Sequence, residues 1–276
     1  MNSTGKFAIA SIIFISILGA IAFNADILYA GIGVAPENIE IVVSQGSETK
    51  GIYTVVNDAD TPAHVKVEAE DWFKTRLGKI GIPVEQWLKI EYTEFDIEPK
   101  GTKQVEYVIT PPQDQKGELA AMVFFGTTSP KGGLSITSRF GVSIYAAIEN
   151  TIRLDCSIKD FSVVRNVNSA EKETDLKSKG LVFGIVVENN SNVHIRPTGN
   201  IEITGENGDK YDVKVERGFP VYPGKSLGYG IPWDKKDLTP GKYNANVILD
   251  CGNIYKIDKK IEKKMNFAVS EDGAVS

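Results

Sequence analysis

Two histidines, two cysteines, three methionines and three tryptophans are all that this 276-residue sequence holds of those residue types. So few cysteines exclude a disulfide-dense scaffold, and so few Cys and His exclude a zinc cluster built from them. Basic residues are not in excess. Thirty-one Lys and Arg face 36 Asp and Glu, a formal net charge of -5, which leaves no electrostatic footprint for nucleic acid. After residue 31 no segment is apolar enough to span a bilayer, and no amphipathic helix of ten or more residues is legible. Hydrophobic residues make up 42% and charged residues 24%, the balance of a chain that buries a core.

The one long apolar run lies at the start. Lys6 precedes residues 7–23, FAIASIIFISILGAIAF, in which nothing is charged. A positive residue followed by such a run reads as an export signal. Ala20-Ile21-Ala22 fits small-x-small cleavage, and Ala30 before Gly31 is a second candidate. Strand-like sequence begins at Gly31, which favours residues 1–30 as the signal peptide. An uncleaved anchor is the alternative. No cysteine near the cleavage region supplies a lipid attachment point, and the 271–276 tail is polar. The expected location is periplasmic or otherwise extracytoplasmic, with no membrane contact after cleavage.

Beyond residue 31 apolar and polar residues alternate with period 2, the signature of half-buried strands. Strands are predicted at 39–43, 51–57, 63–73, 86–92, 103–110, 118–127 and 134–148. A second series follows at 152–164, 181–188, 199–204, 211–216, 226–231, 241–249 and 254–267. Turn residues separate them, among them Pro111-Pro112, Pro223-Gly224 and Asn207-Gly208, the last a strong hairpin signal because both residues tolerate positive φ. Residues 83–88 carry the single helical hint of the first half. Residues 169–180, SAEKETDLKSKG, read as a long polar loop or a short surface helix. The fold class is all-β, two immunoglobulin-like antiparallel sandwiches in tandem over 31–150 and 151–270. No Gly/Ser linker separates them. Charge divides unevenly: 11 basic and 17 acidic residues in 31–150, 19 and 18 in 151–276. Lys256, Lys259, Lys260, Lys263 and Lys264 read as a solvated edge that deters aggregation, or as a partner-facing strip.

Chemical motifs are sparse. Cys156 and Cys251 fall in the second half, and in an exported chain two thiols in one domain are a disulfide candidate. Two unconnected buried thiols are the other reading. Gly224-Lys225-Ser226-Leu227-Gly228 matches G-x-S-x-G, but Pro-Gly precedes it and a strand follows, so a sandwich turn explains it better than a nucleophile elbow. The same Gly-Lys-Ser is no phosphate loop, because the glycine required five positions earlier is Phe219. No acidic or thiol cluster surrounds His64 or His194 at metal spacing. Glu70 and Asp71 adjoin along a strand and point to opposite faces. Trp72, Trp87 and Trp233 read as packing residues. No catalytic residue, metal site or cofactor is expected.

Three stretches resemble the N-terminal domain of periplasmic pilus-assembly (fimbrial) chaperones. GIYTVVN at 51–57, followed by AHVKVEAEDW at 63–72, is similar to that family's second and third strands. TEFDIEP at 93–99, then 105–111 and GELAAMVFF at 117–125, follows its order of strand, proline turn and strand. Ser138-Arg139 sits inside a long alternating strand, as in the family's last strand of domain one. The resemblance covers about 120 residues, and the second half follows by position and pattern only. It implies a boomerang of two Ig-like domains. The last strand of domain one would lend alternate apolar side chains to an incomplete pilin-like or surface subunit, so that main-chain hydrogen bonds give affinity and pockets give specificity.

Leu134, Ile136, Phe140, Val142 and Ile144 share one parity and one face, with Arg139 opposite. These residues are the candidate client-binding strand; a face that packs only its own sandwich shows the same alternation. The family's basic anchor for a client carboxylate is not matched. No Lys or Arg lies between Gly31 and Thr49, and the position two after Arg139 is Gly141. The resemblance thus points to a non-enzymatic, chaperone-like protein with an extracytoplasmic protein client. The alternative is a structural or adhesive cell-surface module on the same fold.

Overall fold

The computed structural model describes residues 31–78, 81–131, 134–165, 180–234 and 238–276, with residues 129–131 and 134–136 as backbone alone. The leader at 1–30 and nearly all of segment 169–180 lie outside the described residues. Two sandwiches follow one another. The first sets the sheet β1-β3-β7-β5 against the sheet β2-β9-β8-β4-β6. Its strands are β1 (Ile32–Ala35), β2 (Asn38–Val43), β3 (Thr49–Asn57), β4 (Ala63–Asp71), β5 (Leu88–Ile90), β6 (Glu94–Ile97), β7 (Thr102–Ile109), β8 (Glu118–Lys131) and β9 (Leu134–Ile148). The second sets β10-β11-β14 against β13-β12-β15-β16. Its strands are β10 (Cys156–Arg165), β11 (Leu181–Asn189), β12 (Thr198–Gly205), β13 (Lys210–Val215), β14 (Lys225–Trp233), β15 (Gly241–Asp250) and β16 (Lys260–Val269).

Each core is the inward set of an alternating pattern. Tyr53, Val55, Val65, Val105, Ile109, Val123, Phe125 and Trp87 fill the first; Leu181, Phe183, Ile185, Ile201, Ile203, Ala245 and Val247 fill the second. A buried asparagine closes the end of an early strand in each. Asn57 Nδ2 donates to the carbonyls of Thr61, Ile97 and Glu98, and Asn189 Nδ2 to those of Val193 and Val221. These bonds satisfy loop carbonyls that no ladder reaches.

Among the departures from the sequence reading, three bear on the site. The strand expected over 63–73 stops at Asp71, whose Oδ1 accepts the Lys74 N–H at 3.0 Å and so caps α1 (Trp72–Leu77). Gly78, at φ 64, closes that helix in the left-handed conformation. Next, the chain changes sheets around Pro36. β1 pairs antiparallel with β3, whereas β2 pairs parallel with β9, a short parallel contact inside an otherwise antiparallel fold.

The third departure corrects the disulfide candidate. Cys156 and Cys251 are free and buried. Cys156 opens β10 and Cys251 follows β15 in the facing sheet, so the thiols meet across the core. They hydrogen-bond rather than bridge. That contact and burial push the Cys251 thiol up, leaving it protonated and unreactive.

Candidate client-binding edge and the junction between the sandwiches

β9 is 15 residues long, and its two sides are not equally covered. Along β8 it pairs throughout, from Glu118↔Ala147 to Lys131↔Leu134. On its other side β2 covers only 143–148, from Asn38↔Ser143 to Val43↔Ile148. Among the described residues, 134–142 have no strand on that side. The direction of the unpaired groups follows from the bonds beside them. Ser143 N–H donates to Glu37 O toward β2, while Ile148 N–H donates to Gly117 O on the β8 side. Along an extended strand these directions alternate, so Thr137, Arg139 and Gly141 aim their N–H and C=O at the open edge. β4 pairs β8 only as far as Val65↔Thr127. The hairpin beyond it, 128–131 with 134–137, is therefore a two-stranded arm, and the Thr128 and Thr137 hydroxyls lie 3.0 Å apart on it.

The candidate strand residues divide three ways. Val142 and Ile144 are fully buried in the sandwich's own core. Phe140 is half-buried against that core, because β2 stops short of it. Arg139 lies on the outer face, its guanidinium 4.0 Å from the Phe124 ring centroid and its Nη2 2.9 Å from Glu68 and 3.3 Å from Glu70. The side chains of Leu134 and Ile136 lie outside the described residues.

A second cluster, absent from the sequence reading, joins the two sandwiches. His194, between β11 and β12, is 1% exposed and faces carboxylates from two strands of the first sandwich. Glu118 Oε2 accepts the His194 backbone N–H at 3.0 Å, and Oε1 lies 2.7 Å from Nδ1. Glu40 Oε1 lies 3.5 Å from Nε2. Tyr255 Oη donates to the His194 carbonyl at 2.6 Å, and the Tyr145 ring lies 4.2 Å from the imidazole, centroid to centroid. Burial works to depress the imidazole pKa, but the charges and hydrogen bonds of Glu118 and Glu40 prevail and hold it up at about 9. Glu40 is itself clasped by Arg196, at 2.6 Å, and by Arg217. Burial would raise its carboxyl, yet bonds to His194 and Asn38 and the charges of His194 and Arg196 hold it well below the usual carboxylate range. Alternation could not reveal this cluster, since its members lie far apart in sequence and come together only when the sandwiches dock.

Beside it, Trp72 Nε1 donates to Tyr222 Oη at 2.9 Å, and Tyr222 Oη lies 2.8 Å from Tyr145 Oη. His64 instead lies on the exposed outer face, between Asp96 at 2.6 Å and Glu94 at 2.5 Å. Ser226 is the second residue of β14, and the turn before it is closed by Lys225 N–H donating to Tyr222 O, so no strand-to-helix elbow forms. Among the described residues no group of His, Cys, Asp and Glu is placed to hold a metal ion, and no helix is long and apolar enough to cross a membrane.

Fold and site together define a tandem Ig-like double sandwich with one long, half-covered sheet edge. Solved structures to which the chain is similar include fimbrial chaperones. The class 5 fimbriae chaperone CfaA is 16% identical over 84% of this chain and 98% of its own, with a TM-score of 0.47. A chain of the Salmonella enterica SafA pilin complex with the SafB chaperone is 12% identical over 85% and 96%, with a TM-score of 0.42. The periplasmic chaperone SfaE is 10% identical over 89% and 96%, with a TM-score of 0.40. No protein-family model and no curated protein sequence matches the chain.

Proposed function

We propose that this protein is an extracytoplasmic, non-enzymatic chaperone that holds a pilin-like or surface-subunit client by adding a client strand to β9 at residues 134–142. The open stretch of β9 carries this reading. Sandwich edges are commonly blunted by being short or charged. β5 is three residues long; β6 is four, with Glu94 and Asp96 pointing outward. Residues 134–142 are neither short nor blocked by proline, and the odd-numbered ones, Thr137, Arg139 and Gly141 among them, aim backbone groups at the open side. A client strand there would continue the sheet beyond the end of β2 and lay its own inward side chains over half-covered Phe140. Main-chain hydrogen bonds would supply affinity and the apolar contact selectivity, with no nucleotide required.

Thr137→Pro tests this. Proline removes an N–H that faces the open edge and leaves the β8 ladder intact, which edge positions tolerate. Periplasmic capture with the tagged wild-type protein is expected to recover a client that the Thr137→Pro protein, folded by circular dichroism, does not recover. Ser138→Pro is the control, since it breaks the β8 ladder and lowers thermal stability. Undiminished recovery with folded Thr137→Pro would sink the reading.

A further inference from the structure

A second open edge lies in the other sandwich. β14 is the outermost strand of β10-β11-β14, nine residues long, and pairs only with β11 among the described residues. Its outer positions carry almost no side chain: Ser226, Gly228, Gly230 and Pro232 are all exposed. At its start a groove of about 410 Å³ opens between the two sandwiches, lined by Arg76 and Leu77 of α1 and by Phe219, Tyr222, Lys225 and Leu227. Its walls are pinned. The Trp72–Tyr222 hydrogen bond and the edge-on contact of Phe73 with Tyr222, centroids 6.2 Å apart, tie α1 to the loop before β14.

Two properties of this groove lack an internal explanation. Phe219 is 81% exposed, the most exposed large hydrophobic side chain among the described residues, and neither core uses it. Its backbone is fixed nonetheless, because the Phe219 carbonyl accepts the Tyr229 hydroxyl at 3.0 Å. The charge lining the groove is of one sign: Arg76 and Lys225 line it and no acidic residue does. Among the described residues neither cation has an ion-pair partner, although Arg76 rests 4.4 Å from the Trp72 ring centroid. In a chain with net charge -5, unpaired cations beside an exposed phenyl ring and a free strand edge form a complement to a specific chemistry.

We propose that this groove is a second docking site, and that its occupant is an extended acidic segment of a protein partner carrying a bulky apolar side chain. The segment's main chain would pair along β14. Its apolar side chain would lie between Phe219, Leu77 and Leu227, and its carboxylates would reach Arg76 and Lys225. This site is independent of the β9 edge.

The test is calorimetric titration of the full chain with an octapeptide alternating glutamate and leucine, and with the same peptide carrying lysine for glutamate. The acidic peptide is expected to bind and the basic one not to, with affinity falling as salt rises. Lys225→Glu and Phe219→Ser change exposed side chains and are expected to leave folding intact; each should weaken the acidic peptide by about tenfold or more. Thr137→Pro should leave this binding unchanged, so failure of one site does not imply failure of the other. Equal binding of both peptides, or unchanged affinity in both variants, would overturn the proposal. So would a dimer, seen by sedimentation, that Phe219→Ser dissolves while no acidic peptide binds, since a second copy of the chain would then be the occupant.

Discussion

Glu118 holds His194 with both carboxylate oxygens, one on the backbone N–H at 3.0 Å and one 2.7 Å from Nδ1. One residue begins a strand of the first sandwich, and the other lies in a loop of the second. A buried ion pair fixes geometry more surely than it adds net stability. Here it fixes how the two sandwiches meet.

The pair makes stability depend on pH in one direction. Around the imidazole stand Glu118 from β8, Glu40 from β2, Tyr145 from β9, Tyr255 from the turn after β15, and Arg196 next along the chain. The folded pKa is held near 9 against an ordinary 6.5, so the folded state retains a proton that the unfolded chain gives up. The contribution is therefore complete below about pH 6.5 and is lost as pH rises through about 9. Its size is on the order of 3 kcal/mol. The urea midpoint of the wild type should fall between about pH 7 and pH 9.5, before tyrosine titration begins, while that of His194→Gln should stay nearly level across the same window. Parallel profiles for the two proteins would refute the assignment.

How much of this was legible beforehand depends on the kind of interaction. Period-2 alternation locates most strands because burial alternates with the pleat, and β9 is read at its full length, Leu134–Ile148. The same signal misses β1, which is only four residues long, and it carries the β4 reading past Asp71, where a side-chain cap rather than periodicity ends the strand. The parallel β2–β9 pairing and its early stop leave no trace in composition. Alternation in β9 likewise cannot distinguish Val142, enclosed by its own core, from Phe140, left half-covered by a strand that ends three positions away. The Glu118–His194 pair spans 76 positions, and the sequence holds no local pattern for it.

Gly117 gives a steric test of the same junction. Its φ of 77 is one that side-chain-bearing residues rarely adopt, and a Cβ there would lie 2.6 Å from the Asn192 carbonyl oxygen of the second sandwich. Gly117 N–H also donates to Thr151 Oγ1 at 2.9 Å, so the segment has little room to retreat. Gly117→Ala should cost about 1–3 kcal/mol through backbone strain and the forced separation of the two loops. Thermal unfolding measures the cost. Gly208→Ala is the comparison: its φ is 89, but nothing lies within 4 Å of the added carbon, so it carries strain without a clash. If Gly117→Ala is no more destabilising than Gly208→Ala, the close approach of Asn192 contributes nothing.

The two thiols give a chemical test of the second core. Cys156 and Cys251 are both buried, and a reagent must reach a thiolate to react. The raised Cys251 thiol stays protonated, held by its hydrogen bond to Cys156 and by burial. Because burial keeps the reagent from both sulfurs, Ellman's reagent should find no accessible thiol in the folded protein and two after denaturation, without added reductant. Each cysteine behaves as a small apolar core residue, so Cys251→Ser should destabilise more than Cys251→Ala, because serine buries a hydroxyl more strongly hydrated than a thiol. Finding no free thiol even after denaturation would mean that the pair is bridged and that the second sandwich is stapled between its sheets rather than packed.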